Sequence, residues 1–240
     1  MSWKKLCIAL FFGTLLSVPA RAALIINELD SDSVNTPVTD VFEFVELFES
    51  TGTNVPLDGY VLVFYNGNAA GNASYGVAED LDTFSTSATG YFTVGSILTA
   101  TKNRLPNTIQ NGVDGVALFL GSAADFPAGT AAAARPAGTT LIDAVVYKTG
   151  PDVDGVGMAT DLGITGAIVD EFSRDGSAAA GALDSIGRIP NGAGGALNTG
   201  SWTYMTPTPN AVNVSPIIPE PTSMVLLAIA SGFAMIRRRR

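Results

Sequence analysis

The densest cluster of side chains that could do chemistry lies in the first fifth of the chain, where acidic residues are crowded. Asp30 and Asp32 alternate, so their carboxylates would leave the end of a strand on the same side. Together with Asp40 they offer the hard oxygen ligands that Ca²⁺ prefers. The spacing is not that of an EF-hand loop, because Asn35 and Val41 stand at the positions of its glycine and last glutamate. Two interpretations follow: a calcium site formed by the three aspartates, or a polar loop that uses them as turn residues.

The sequence excludes most other kinds of reactive centre. It contains no histidine, and its one cysteine, Cys7, lies near the N-terminus. Zinc sites built from Cys and His, and nucleophilic triads that need His, are therefore excluded. The general bases that remain are carboxylates, Lys and Tyr, and Glu79, Asp80 and Asp82 could supply the carboxylate pair of a glycoside hydrolase. We predict a protein that is not an enzyme and has no cofactor apart from the calcium alternative; a carboxylate-dependent hydrolase is the less favoured hypothesis.

One further pair of charged residues predicts a structural contact. A strand read with a period of two places Glu46 on the same face as Phe42, Phe44 and Phe48. A carboxylate buried among aromatic rings needs a partner or stays protonated. Arg188 ends another predicted strand, and its guanidinium can hold a carboxylate through two hydrogen bonds. We therefore predict an ion pair between Glu46 and Arg188, with a β-bulge that turns Glu46 to solvent as the competing interpretation.

The elements that must position these residues are short runs rich in Val, Ile, Phe and Tyr, separated by Gly, Asn, Asp and Pro. This pattern is typical of an all-β protein. The continuously apolar run 61–65 predicts a central strand that is buried on both faces. The Ala/Gly/Pro-rich segment 121–138 predicts a loop, and 150–181 predicts a long irregular or partly helical excursion. The predicted strands are 24–29, 43–48, 59–65, 90–94, 115–120, 140–147 and 183–188.

The N-terminal end has the pattern of a secretory signal peptide. Lys4 and Lys5 precede an apolar run, 6–18, that contains no charge. Small residues follow at Ala20 and Ala22, the two positions that signal peptidase reads. The pattern predicts export and cleavage after Ala22; the alternative is a buried N-terminal helix.

The C-terminal end is also unusual. The segment 222–236 carries no charge, and as a helix it would span roughly 22 Å, less than the roughly 30 Å of a hydrocarbon core. Basic residues after it could snorkel and would stay on the cytoplasmic side. Prolines before it would stop the helix from extending backward. The flanking residues are Pro219, Glu220 and Pro221 on one side and Arg237, Arg238, Arg239 and Arg240 on the other.

This order of a Pro-Glu-Pro motif, an apolar run and a terminal arginine cluster closely resembles the PEP-CTERM sorting signal. The resemblance implies export through the inner membrane of a Gram-negative bacterium by the general secretory route. An exosortase would then remove the tail and release the protein or transfer it to the cell surface. Proteins with this signal tend to occur in bacteria that make exopolysaccharide. The alternative is a plain C-terminal membrane anchor.

The net charge of the segment that is predicted to be exported limits the partners that it can bind. Between residues 23 and 221 the chain has six basic residues against all 22 of its acidic residues, which gives a net charge of −16. Such a protein repels phosphate backbones and anionic lipids. We therefore predict no nucleic-acid partner, and contact with the inner membrane during processing only.

The body of the chain resembles the bacterial lamin-tail domain, an immunoglobulin-like β-sandwich. Asn210 departs from that pattern, which usually carries glycine there, but asparagine tolerates the left-handed conformation. The resemblance implies binding or adhesion and not catalysis. Four aromatic residues could stack on sugars or simply pack in the core: Tyr60, Tyr75, Trp202 and Tyr204. The segments that carry the resemblance are 26–29, 43–47, 55–62, 141–147, 185–188 and 206–213.

These observations predict an all-β protein with an immunoglobulin-like sandwich, long loops, an N-terminal signal helix and a C-terminal transmembrane helix. The predicted function is that of a non-catalytic structural or binding protein at the cell surface or in the extracellular matrix. The alternatives are a calcium-dependent adhesin and a module that binds exopolysaccharide or a cell-surface glycan. The predicted divisions are a signal peptide at 1–22, a sandwich domain at 23–213, a linker with the Pro-Glu-Pro motif at 214–221, and the transmembrane segment with the arginine cluster at 222–240.

Overall fold

The computed structural model describes residues 24–31, 42–51, 54–68, 71–105, 108–149, 155–171 and 185–215. The predicted signal peptide and transmembrane segment lie outside these residues. Within the described ranges, no helix has the length and hydrophobicity needed to cross a membrane. The strands are β1 Ile25–Asp30, β2 Phe44–Phe48, β3 Tyr60–Asn66, β4 Glu79–Asp80, β5 Tyr91–Gly95, β6 Lys102–Asn103, β7 Val113–Leu120, β8 Thr140–Lys148, β9 Val169–Asp170, β10 Ser185–Arg188 and β11 Trp202–Met205; the helix α1 is Val156–Leu162, and a 3₁₀ turn spans Ala123–Asp125.

The all-β prediction is confirmed, and each of the seven predicted strands has a counterpart in the structure. The strands that the sequence did not predict are β4, β6 and β9, each of two residues, and β11. A two-residue strand is too short to show an alternating pattern. In β11 three of the four residues are partly exposed, so its hydrophobic pattern is weak.

The strands form two sheets. One has the order β11-β10-β1-β2-β5-β6 and the other the order β4-β3-β7-β8-β9. Neighbours run antiparallel, except that β5 pairs with β6 and β8 pairs with β9 in parallel. Alternate side chains of both sheets meet in one apolar layer, the inner core, with Val45, Leu47 and Phe92 from the first sheet and Leu62 and Phe64 from the second. The result is a sandwich-like arrangement of two sheets.

The five-stranded sheet is also covered on its other face, which makes an outer core. Val61, Val63 and Tyr65 of β3 point to this side and are buried. Their cover comes from the two segments that the sequence predicted to be irregular, through Phe126 of one and Met158 of the other. The prediction that run 61–65 is buried on both faces is therefore confirmed.

The partly helical character predicted for the later segment is confirmed by α1. The helix contributes Met158 and Leu162 to the outer core. It ends at Gly163, whose φ of 71° is the left-handed conformation that favours glycine at a helix C-terminus. The outer core explains why β3 is continuously apolar, since a strand that faces two hydrophobic layers has no polar side.

Candidate functional site

The predicted calcium ligands fall mostly outside the described residues. Asp30 is the last residue of β1 and is 3% exposed. Asp32 and Asp40 are not described. Within the described part of the chain, no group of three or more acidic, His or Cys side chains is placed to hold a metal ion. The calcium site therefore stays a prediction.

The acidic residues of the second cluster are occupied by local contacts. Glu79 forms ion pairs with Arg104 at 2.5 Å and with Lys102 at 3.5 Å. Asp82 accepts a hydrogen bond from the backbone N–H of Gly59, and Asp80 accepts one from the N–H of Asp82. These carboxylates join β4 and the turn after it to the residue before β3 and to the β6 segment.

The predicted ion pair between Glu46 and Arg188 is wrong. Glu46 is fully buried, as predicted, but its carboxylate accepts hydrogen bonds from Nδ2 of Asn27 at 3.0 Å and from the backbone N–H of Asn210 at 2.5 Å. The guanidinium of Arg188 instead meets Asp143 at 3.0 Å.

The register of the six-stranded sheet explains this error. Glu46 of β2 lies opposite Glu28 of β1, and Glu28 lies opposite Gly187 of β10. These three residues share one face, which is the outer face because Val45 and Leu47 point to the inner core. Arg188 follows Gly187 and points to the other face. The β-bulge that we considered for β2 occurs in β1, between Ile26 and Glu28.

Arg188 is a fully buried cation that the protein surrounds with acceptors. Its Nε donates to the carbonyl of Ile26 at 2.8 Å, and its Nη2 donates to both carboxylate oxygens of Asp143 at 3.0 and 3.3 Å. Its Nη1 meets three carbonyl oxygens of the turn after β10, those of Ala193, Gly195 and Asn198, at 2.8–2.9 Å. Its guanidinium also lies 5.2 Å from the ring of Trp202.

Asp143 is the residue of this centre that the sequence analysis missed. It is fully buried on β8 of the opposite sheet and accepts hydrogen bonds from the backbone N–H groups of Ile26, Ala144 and Leu197. Burial raises the pKa of the Asp143 carboxyl and lowers the pKa of Arg188, while the opposite charge of each partner counteracts the shift. The sequence feature that could have pointed to Asp143 is its position as a single acidic residue within the apolar run of β8.

This ion pair ties the two sheets and the turn after β10 together. Every oxygen of Asp143 and every nitrogen of Arg188 already has a protein partner. The contacts of the pair therefore lie within the fold.

A second buried acidic centre lies on the outer face of the six-stranded sheet. Glu28 and Glu46 are both fully buried and stand opposite each other on adjacent strands. The segment 206–213, which we call the strap, crosses over them. The N–H of Thr208 donates to Glu28 at 2.8 Å, and the N–H of Asn210 donates to Glu46. The side chain of Asn213 fixes the end of the strap through the carbonyls of β1 and β10.

Asn210 has the left-handed conformation that its position was predicted to need, with a φ of 63°. Its side chain accepts a hydrogen bond from Thr93 of β5 at 2.9 Å and donates to the carbonyl of Thr99 at 3.1 Å. A glycine could adopt this backbone conformation but could not make these two contacts. The asparagine therefore anchors the strap to the neighbouring strand.

An accessible candidate site among the described residues is a cleft of about 270 Å³ between the two sheets. It lies where the edge strand β9 of one sheet faces the edge strand β11 of the other. Trp202 and Tyr204 supply aromatic rings, and Asp170 supplies a carboxylate that is 37% exposed. The remaining lining residues are Ala167, Ile168, Val169, Thr199 and Thr203.

This combination of groups suits a polar ligand with apolar faces. Aromatic rings can stack on the C–H face of a sugar, while a carboxylate and hydroxyls accept and donate hydrogen bonds. Asp170 is held by Lys148, with 3.1 Å between carboxylate oxygen and Nζ. The indole N–H of Trp202 is buried without a hydrogen-bond partner among the described residues.

The other two aromatic residues considered for sugar stacking have different surroundings. Tyr60 and Tyr75 pack against the inner core. The hydroxyl of Tyr75 accepts a hydrogen bond from the backbone N–H of Gln110 at 2.9 Å. The structure therefore brings together two of the four aromatics, Trp202 and Tyr204.

Comparison with known proteins found no family model that matches the sequence and no matching curated protein.

Proposed function

We propose that this chain is an exported protein of the cell surface or extracellular matrix, with a non-catalytic immunoglobulin-like sandwich of the lamin-tail kind. In this proposal an exosortase recognises and removes the C-terminal segment at the inner membrane of a Gram-negative bacterium. The observation that carries it is the sequence of the tail, with Pro219-Glu220-Pro221 followed by an apolar run and four arginines.

The anchoring of Asn213, close in sequence to the sorting motif, supports this proposal. Asn213 is 3% exposed and donates hydrogen bonds to the carbonyls of Asn27 and Arg188. Pro219 follows six residues later. Such a short connection would hold the body close to the membrane until a protease cuts the tail. The engagement of the buried charged groups in contacts within the fold supports a structural or binding role over catalysis.

Processing at both ends should be visible by mass spectrometry of the surface protein. We expect an N-terminus at Ala23 and no peptide from 222–236. A variant with Pro219→Ala, Glu220→Gln and Pro221→Ala should keep its tail and stay in the membrane fraction. Recovery of an intact 222–236 peptide from wild-type surface protein would contradict the proposal.

The cleft favours a second candidate function, the binding of a glycan such as the exopolysaccharide that the sorting signal implies. Two aromatic rings beside a partly exposed carboxylate and two threonines form a set of groups that suits sugar recognition. Such a site would let a sorted protein attach to the matrix around the cell.

Glycan binding can be tested with a panel of oligosaccharides and the purified protein. Tyr204→Ala and Asp170→Asn should each weaken binding at least tenfold, because one removes a stacking surface and the other a charged acceptor. Tyr204→Phe should keep most of the affinity, and Asp80→Asn, away from the cleft, should have no effect. Equal affinity of wild type and both cleft variants would contradict the assignment. Repeating the assay with and without Ca²⁺ tests the calcium-dependent alternative.

A further inference from the structure

The two buried glutamates under the strap face different kinds of hydrogen-bond partner. Both oxygens of Glu46 meet N–H groups, from the backbone of Asn210 and from Nδ2 of Asn27. The amide of Asn27 cannot be reversed, because its Oδ1 already accepts from the backbone N–H of Gly192 at 3.0 Å. Among the described residues, Glu46 therefore meets only donors and has no acceptor for a proton of its own.

Glu28 has an acceptor within reach. Its Oε1 accepts from the hydroxyl of Ser185 at 2.6 Å and from the N–H of Thr208, while its Oε2 lies 3.0 Å from Oγ1 of Thr208. The same Oγ1 is 3.2 Å from Oδ1 of Asn213. The amide of Asn213 is fixed, since its Nδ2 donates to two backbone carbonyls.

The hydroxyl of Thr208 has one hydrogen and two acceptor oxygens beside it. If that hydrogen goes to Asn213, the contact with Glu28 needs a proton on Oε2, donated to the lone pair of Thr208. If Glu28 is ionised, the single hydrogen of Thr208 can serve only one of its two contacts. In the other contact two oxygen atoms face each other without a hydrogen between them. The hydrogen-bond pattern is therefore complete when Glu28 carries a proton and Glu46 is charged.

The charges around the pair favour retention of this proton. The ionisable side chains that share its face on the neighbouring strands are Asp30 of β1 and Tyr91 of β5, and neither is a cation. The described part of the strap has no charged residue. Arg188 is on the opposite face, where Asp143 neutralises it. Two full negative charges in this site would therefore repel each other without compensation from the described residues.

We propose that the Glu28–Glu46 pair holds one proton on Glu28 at neutral pH and acts as a latch whose deprotonation releases the strap. Loss of the proton would place a second charge in a buried site and remove one hydrogen bond between Glu28, Thr208 and Asn213. The strap is the element that can move away and admit water, because residues 206–212 are partly or fully exposed, whereas the strands beneath are buried.

The pKa values of Glu28 and Glu46 are both raised, as retention of a proton requires. Burial raises the pKa of Glu28, and burial together with the nearby charge of Glu28 raises that of Glu46 to about 8. Since the two groups titrate as a pair, the value of about 8 belongs to the proton that they share, and the hydrogen-bond pattern places that proton on Glu28. The unfolded chain would lose its protons near pH 4.5. The stabilising contribution of the retained proton is thus fully present below about pH 4.5 and is lost as pH rises through about 8.

Strap release would change the geometry of processing, a consequence that rests on the proposed function. A bound strap fixes the chain at Asn213, while a released strap frees it from residue 206 onward. The eight added residues could extend the reach of the sorting motif by roughly 26 Å. The latch itself does not depend on processing and can be tested on the protein directly.

Hydrogen exchange of the full chain, measured between pH 6 and 9, tests the latch. The reporter is the strap peptide, in which Thr208 and Asn210 supply the amides that bind the carboxylates. After correction for the intrinsic rates, its protection should fall at least tenfold between pH 7 and 9. Peptides from β3 and β7 should keep their protection.

Two isosteric variants locate the proton. Glu28→Gln reproduces a protonated acid, because its NH₂ can donate to Thr208 while its oxygen accepts, so the strap should stay protected at pH 9. Glu46→Gln places an NH₂ against an N–H donor and should lower strap protection at pH 7. The opposite ranking of these variants, or a wild-type strap equally protected at both pH values, would overturn the proposal.

A second measurement covers the case in which a variant fails to fold. Carbon-13 NMR of the side-chain carboxyls of wild-type protein should show a glutamate signal that titrates near pH 8. If every glutamate signal titrates below pH 6, the latch is refuted. Strap release without tail removal would instead refute the proposed function and leave the latch intact.

Discussion

Replacing Asp143 with asparagine should lower the free energy of unfolding by about 3–5 kcal/mol, because it leaves a buried guanidinium without its counter-ion. Arg188 and Asp143 have fully buried side chains. The carboxylate oxygens receive only N–H donors, from Arg188 and from the backbone of Ile26, Ala144 and Leu197. The NH₂ of asparagine would therefore face a donor, which adds an unsatisfied group to the lost charge.

The matched control is a partly exposed ion pair of the same fold. Asp170 pairs with Lys148 at 3.1 Å, and the side chains are 37% and 19% exposed. Asp170→Asn should cost about 0–1 kcal/mol, since solvent screens such a pair. Urea denaturation of both variants gives the comparison. A cost below about 1 kcal/mol for Asp143→Asn would show that the pair does not hold the sheets together.

A double variant separates the contribution of the two charges to stability from that of the other hydrogen bonds of Arg188. Asp143→Leu combined with Arg188→Met removes both charges, and apolar replacements of buried ion pairs are often tolerated. In this protein the replacement should recover part of the stability only. The carbonyls of Ala193, Gly195 and Asn198 would lose their common donor and remain without it.

The failed prediction for Glu46 shows what strand patterns can and cannot tell. Period-two alternation correctly predicted that Glu46 is buried, because the pattern belongs to one strand. The choice of partner depends on which strands are neighbours and on their register, which involve residues far apart in the chain. Arg188 is one position from the residue in line with Glu46, and a shift of one position moves a side chain to the opposite face.

The strap shows the same limit. The segment 206–213 attracted attention through its resemblance to a family motif, and the left-handed conformation of Asn210 is the one that this resemblance implied. Its role over the glutamates could not be predicted, because the bond between Asn210 and Glu46 joins residues 164 positions apart. Local chemistry determines the turn, whereas the tertiary fold determines what the turn covers.

Replacing Phe126 with alanine should lower the free energy of unfolding by about 3–5 kcal/mol, although the residue lies in a segment without strands. Its side chain is 1% exposed, and its ring centroid lies 4.6 Å from that of Phe119 on β7. Deletion of the ring would leave a cavity over the five-stranded sheet, beside Ala132 and the other residues of the outer core. The rigid sheet beneath cannot collapse far enough to fill it.

Denaturant unfolding with two companion variants decides whether this outer core carries stability. Met158→Ala, from the helix α1, should cost about 2–5 kcal/mol for the same reason. Val77→Ala should change stability by less than about 0.5 kcal/mol, because Val77 is 78% exposed. A small effect of both core variants would mean that the irregular segments contribute little to the stability of the fold. The expected large effects would mean that β3 is apolar on both faces because both of its covers are integral parts of the fold.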